Sequence, residues 1–99
     1  MPRPTPLQHR EYRNAIIAAL REGRKNALQL IAVLRPIVSP EDAVRRCQRH
    51  FGDHPWTYQV EMGTREIFGD IIRNLRSEVI KIGRGQLATY ELQPASKLR

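Results

Sequence analysis

The chain has 99 residues, a single cysteine, and 17 Lys+Arg against 10 Asp+Glu, giving a formal charge of +7. That length suits one domain, the commonest size being about 100–150 residues, with room for one core but not for a second or for a deep catalytic cavity. The lone Cys47 excludes an internal disulfide framework, and the longest apolar run (Leu30 to Leu34) is far short of the ~20 residues of a membrane span.

Residues 1–6, Met1-Pro2-Arg3-Pro4-Thr5-Pro6, hold three prolines and no apolar periodicity, so they read as a flexible arm. A basic arm can enter a minor groove; a frayed terminus accounts for the same composition. A single domain is expected over 7–93. Its first helix runs from Leu7 to Glu22, with Tyr12, Ala15, Ile16, Ala19 and Leu20 on one face and Gly23 ending it. The second spans about Asn26 to Leu34, capped by Asn26 and stopped by Pro36. Its apolar residues, Leu28, Leu30, Ile31, Val33 and Leu34, go nearly all round, so it should be largely buried.

Ser39-Pro40-Glu41-Asp42 signals a third helix: an N-cap serine, proline at the first position and acids in the first turn. It carries Ala43, Val44 and Cys47 inward, Arg45, Arg46 and Arg49 outward, and ends near His50 to Gly52. Residues 52–63 read as a loop from which Trp56 folds back on the core. Thr64 then caps a fourth helix to about Ser77, with Ile67, Phe68, Ile71, Ile72 and Leu75 as its apolar stripe. The period changes after that. Val79–Ile82 is a strand, Gly83–Gln86 a turn and Leu87–Leu92 the return strand, since Gly-X-Gly between β-prone runs signals a hairpin. Pro94 ends it, and 94–99 form a disordered basic tail.

Two helices, a further helical unit and a terminal hairpin follow the order of a known family. Residues 16–23 resemble the first helix of the winged helix-turn-helix family, 26–34 its second, 64–78 its recognition helix, and 79–92 its strand, wing and strand. The match covers roughly 9–93, and the segment from Leu75-Arg76-Ser77-Glu78 through Gly83-Arg84-Gly85 to Tyr90-Glu91-Leu92 carries most of it. The chain departs from the family pattern between Pro36 and Gly63, where an extra helix and a loop replace a short turn. The fold expected is α+β, mostly helical: a winged helix-turn-helix with that insertion and a C-terminal β-hairpin wing. The resemblance implies sequence-specific binding of double-stranded DNA and regulation of transcription, as in compact regulators of bacteria and their phages.

Charge points to the same partner. Residues 1–50 hold ten basic and four acidic side chains, and 51–99 hold seven and six. Fourteen of the 17 cations are arginine, which grips phosphate or guanine in a bidentate way, although a GC-rich genome would also favour arginine. A major groove about 12 Å wide admits one helix. Removing the apolar stripe from helix 64–77 leaves Arg65, Glu66, Gly69, Asp70, Arg73, Asn74 and Arg76 outside. Arg65, Arg73 and Asn74 suit guanine or adenine edges, and Thr64 and Arg76 flank them. Gly69 costs about 1 kcal/mol of helix propensity against alanine, so something should approach closely there: DNA, or a neighbouring helix or ring. Glu66 and Asp70 are expected to pair with Arg65 or Arg73 at helical spacing.

Arg84 and Gln86 form the wing, and Arg84 between two glycines is unobstructed. Arg24 and Lys25 sit where phosphate would meet the N-terminus of the second helix. The arginines of the third helix read equally as a solvated face or a phosphate track.

Other chemistry is set aside. Cys47, His50 and His54 lack a fourth zinc ligand and a Cys-x-x-Cys pair, so no metal or other cofactor is expected. No phosphate loop, Ser/His/Asp set or catalytic carboxylate pair is visible, and Cys47 with His50 has no oxyanion donor, which argues against an enzyme and a small-molecule substrate. Trp56 and Tyr58 read as core plugs rather than base-stacking platforms. The protein is expected to be cytoplasmic, free of membranes, and able to act as a homodimer on paired half-sites. The alternative is a protein-interaction module of the same fold whose basic face meets an acidic partner, a reading favoured by the near-neutral second half.

Overall fold

The computed structural model describes residues 6–51 and 53–94, with side chains for 9–47, 53–85 and 87–94. Among these, the chain order is α1 (Pro6–Arg21), β1 (Lys25–Asn26), α2 (Ala27–Leu34), α3 (Pro40–Phe51), α4 (Trp56–Asn74), β2 (Val79–Ile82), a short 3-10 turn (Gly85–Leu87) and β3 (Thr89–Leu92). The fold is α+β and mostly helical. Residues 1–5 of the expected arm and 95–99 of the expected tail lie outside the described residues, and Pro6 opens α1 instead of ending an arm.

Local signals placed the first three helices well. Tyr12, Ile16, Ala19 and Leu20 of α1 are buried, as their spacing demands. Asn26 caps α2 through a reciprocal pair: its side-chain oxygen accepts from the Gln29 amide at 2.8 Å, and Gln29 Oε1 accepts from the Asn26 amide at 2.8 Å. Leu30, Ile31 and Leu34 of α2 are buried, but the all-round burial expected of this helix fails at Leu28, which is exposed. Ser39 Oγ accepts from the Asp42 amide at 3.1 Å, and Ala43, Val44 and Cys47 turn inward from α3. Burial, with a smaller contribution from Glu66, raises the Cys47 thiol above its ordinary value.

Residues 56–63 correct the sequence reading. They are the first turns of α4 and not a loop. Gln59 donates its amide to Pro55 at 3.0 Å and its side chain to the His54 carbonyl at 2.6 Å, anchoring the start of the helix. Thr64 is therefore not a cap. It is buried in mid-helix, and its hydroxyl donates to the Val60 carbonyl at 2.8 Å. Trp56 and Tyr58 do not plug the core either, being 55% and 40% exposed, respectively. The helix exists here because it packs on α3. Gly63 meets Ala43 so closely that a Cβ at 63 would overlap the Ala43 carbonyl and lie 2.8 Å from its Cα. A helix crossing this tight needs glycine, and the same glycine hides the helix from propensity.

The core joins all layers: Tyr12, Ile16 and Leu20 of α1, Leu30 and Leu34 of α2, Ile67, Phe68 and Ile71 of α4, then Leu75, Val79, Tyr90 and Leu92. Phe68 and Tyr90 meet edge to face, their centroids 5.9 Å apart. The sheet is antiparallel in the order β1-β3-β2, with Lys25 opposite Tyr90 in one ladder and Val79 opposite Leu92, through to Ile82 opposite Thr89, in the other. The hairpin matches expectation, but its return strand starts at Thr89 instead of Leu87 because the 3-10 turn intervenes. β1 is new. No helix of the described residues is long and apolar enough to cross a membrane.

Candidate nucleic-acid interface

Helix α4 turns its stripe of Ile67, Phe68 and Ile71 into the core, which fixes what its other faces can do. At about 100° per residue, Arg65, Gly69 and Arg73 fall within roughly 80° on the outer side, while Asn74 lies about 180° from Arg65. Arg65, Arg73, Asn74 and Arg76 are all exposed. The first two can face one groove together, with Arg76 following just past the helix end, while Asn74 lies on the side of the helix opposite Arg65. Its Nδ2 donates to the Asp70 carbonyl at 2.9 Å, beside a cleft of about 350 Å³. His9, Arg46, Ile67, Asp70, Ile71, Arg73 and Asn74 line that cleft, and the Asp70 carboxylate pairs with both Arg46 and Arg73.

Arg46 corrects the outward face expected of α3. Its side chain is only 18% exposed, and it reaches Glu66 at 3.7 Å as well as Asp70. Arg45 stays outside, paired with Asp42 at 2.7 Å, and the side chain of Arg49 lies outside the described residues. Glu66 and Asp70 thus both meet Arg46 across the α3–α4 interface, and Asp70 also pairs with Arg73 at the helical spacing expected.

Long-range pairing within the chain extends to every acid from Glu61 to Glu91. Glu61 takes Arg35 in a bidentate grip at 2.8–3.2 Å, Glu78 takes Arg13 at 3.6 Å and Glu91 takes Arg24 at 3.4 Å. The bonds to Glu61 hold the Arg35 guanidinium above its usual value. Arginines of the first half of the chain therefore neutralise acids of the second. What remains along α4 and the hairpin is Arg65, Arg76, Lys81 and Arg84, all exposed and without an ion pair among the described residues.

Of the hairpin residues, Arg84 is exposed at the tip, where Gly83 (φ +87°) and Gly85 (φ +62°) take left-handed backbone that side chains resist. The side chain of Gln86 is outside the described residues. Lys25 is half-buried in β1 and faces the same side of the sheet as Tyr90 and Lys81, three residues in register across three strands. Burial raises the Tyr90 hydroxyl above its ordinary value. Arg24 is committed to Glu91, and the capping pair already occupies the Gln29 amide, so the α2 N-terminus offers phosphate less than its sequence suggests. Lys81 is a further exposed cation on the hairpin that the sequence reading did not single out. The alternation Val79-Ile80-Lys81-Ile82 held the signal, since it sets a cation between apolar positions.

Gly69 is the other surprise. A Cβ there would meet nothing within 4 Å, so neither a neighbouring helix nor a ring explains the glycine. Gly69→Ala is expected to raise stability by up to about 1 kcal/mol. The same variant should weaken DNA binding if the backbone at 69 lies against a groove; a thermal melt and a duplex titration check both. Comparison of the chain with protein-family models, with curated proteins and with solved structures finds no match.

Proposed function

We propose that the protein binds double-stranded DNA, reads its sequence and so regulates transcription in the cytoplasm, with the outer face of α4 in the major groove and the hairpin tip at 83–86 alongside. One observation carries this reading: ion pairing removes the acids of residues 61–91 and leaves Arg65, Arg76, Lys81 and Arg84 exposed along one continuous stretch of helix and hairpin. Because arginines of the first half pair with these acids, the near-neutral count of the second half does not by itself favour an interaction module. The sheet supports the winged helix-turn-helix resemblance as well. A short strand between the first two helices joins the hairpin in the order β1-β3-β2, as a wing fixed to a helical body requires. α3 remains an insertion in that scheme. Two copies on paired half-sites would double the contacts of so small a domain.

Titration with duplex DNA across a range of salt tests the reading. For about four to six phosphates contacted, log K should fall with log[salt] at a slope near −4 to −5. Arg84→Ala should leave the thermal midpoint nearly unchanged, weaken binding and reduce that slope by about 1. A flat salt response, or no binding at low salt, removes DNA as the partner and favours an acidic protein.

A further inference from the structure

We infer that Leu87 is an apolar wedge that enters a base step of duplex DNA from the minor groove; the inference rests on the DNA-binding reading above. Leu87 is 89% exposed, the most exposed large apolar side chain of the described residues. A single apolar side chain on a surface is ordinary, so its surroundings decide what it means. It ends the 3-10 turn at the tip of the hairpin, closed by the Ala88 amide donating to the Gly85 carbonyl at 3.2 Å. Ala88, one residue on, turns inward and is buried, while Leu87 itself is turned out to solvent. At that exposure it packs little against the described residues.

Two cations share its hairpin. Arg84 precedes the same turn and Lys81 lies on the strand leading to it, both exposed and without an ion pair among the described residues. A branched apolar side chain flanked by positive charge at a projecting tip matches what a base step offers: an apolar stack between two anionic backbones. Wedges of Leu, Ile, Phe, Met or Pro are known to part such steps and bend the duplex by about 20–90°. Pyrimidine–purine steps part most easily, so Leu87 would give preference for TA or CA/TG steps without a hydrogen bond to any base.

The test uses the full chain and two duplexes of about 25 base pairs, one with a central TA step and one an uninterrupted A-tract. Each carries a fluorescent adenine analogue at its centre and a dye pair at its ends. The wild type should bind the TA duplex more tightly, brighten the analogue and shorten the end-to-end distance. Leu87→Ala should keep the thermal midpoint, lose both optical signals and weaken TA binding about tenfold, the scale of one leucine burial offset by unstacking. Its salt slope should stay that of the wild type, unlike that of Arg84→Ala. Leu87→Phe should restore the signals. Wild type that binds both duplexes without brightening or bending, or Leu87→Ala that matches wild type throughout, overturns the wedge and leaves DNA binding standing. Dimerisation of the free protein that Leu87→Ala abolishes would instead assign the side chain to a second copy. Failure of the wild type to bind either duplex at low salt removes the DNA reading and the wedge with it.

Discussion

Gly63→Ala is expected to destabilise the protein by about 3 kcal/mol or more and to lower its thermal midpoint by roughly 12–24 °C. The added methyl has no flexible neighbour to displace. It overlaps the backbone of Ala43, so α3 and α4 must move apart along their whole contact. That movement would also pull Arg46 from Glu66 and Asp70, both of which it reaches across the same interface. Domains of this size have about 5–15 kcal/mol in total, so the loss is a large fraction of the whole. Thermal and urea melts of Gly63→Ala beside Gly69→Ala give a direct comparison, because the two glycines lie on one helix and the changes should have opposite signs. A midpoint for Gly63→Ala within about 3 °C of the wild type would mean that the helices do not cross there.

Arg65→Ala should have the largest effect on recognition, costing about 1–3 kcal/mol on a preferred duplex while leaving the fold intact. Arg65 faces outward without an ion pair among the described residues, so its whole fork is available to a base edge. Arg73→Ala should cost up to about 1 kcal/mol less, because that side chain first gives up its exposed pair with Asp70. Asn74→Ala should leave affinity close to that of the wild type, since Asn74 lies about 180° round the helix from Arg65 and its side chain donates to the Asp70 carbonyl. Titration of the three variants against a duplex selected from a random pool, and against single-base changes in it, measures the order. Equal losses on every sequence would assign Arg65 to phosphate, and a larger loss at Asn74 would put the opposite face of α4 at the DNA.

Features legible in the sequence were those decided locally. Asn26 three residues before Gln29, Ser39 before Pro40, and two glycines between β-prone runs each satisfy backbone groups within a few positions, so a reader of residues can find them. The start of α4 was not legible for the opposite reason. Trp56, Thr57, Tyr58, Val60 and Gly63 are poor helix formers, and contact with α3 overrides that preference. β1 escaped notice because two residues carry no period; it is extended only because β3 lies beside it. On the site, exposure of Arg65, Arg73, Arg76 and Arg84 followed from phase and turn chemistry. The burial of Thr64, the inward turn of Arg46 and the rotation of Asn74 out of the group depended on how two helices meet. Net charge by halves misled for the same reason, because the pairs Arg13–Glu78, Arg24–Glu91 and Arg35–Glu61 join residues that the sequence keeps far apart.

Asn26 belongs to two structures at once. Its backbone pairs with Thr89 in the sheet, and its side chain and amide form the reciprocal cap that starts α2. Most of the chain lies between the paired strands, so closing them carries a loop entropy that only the assembled hairpin can offset. The ladder and the cap therefore open together, as one cooperative unit. Hydrogen exchange at the Asn26 and Gln29 amides should accordingly follow the hairpin rather than the fraying of a short helix. A displacement of β3 would thus reach the first turn of α2 through Asn26, the residue that the ladder and the cap share.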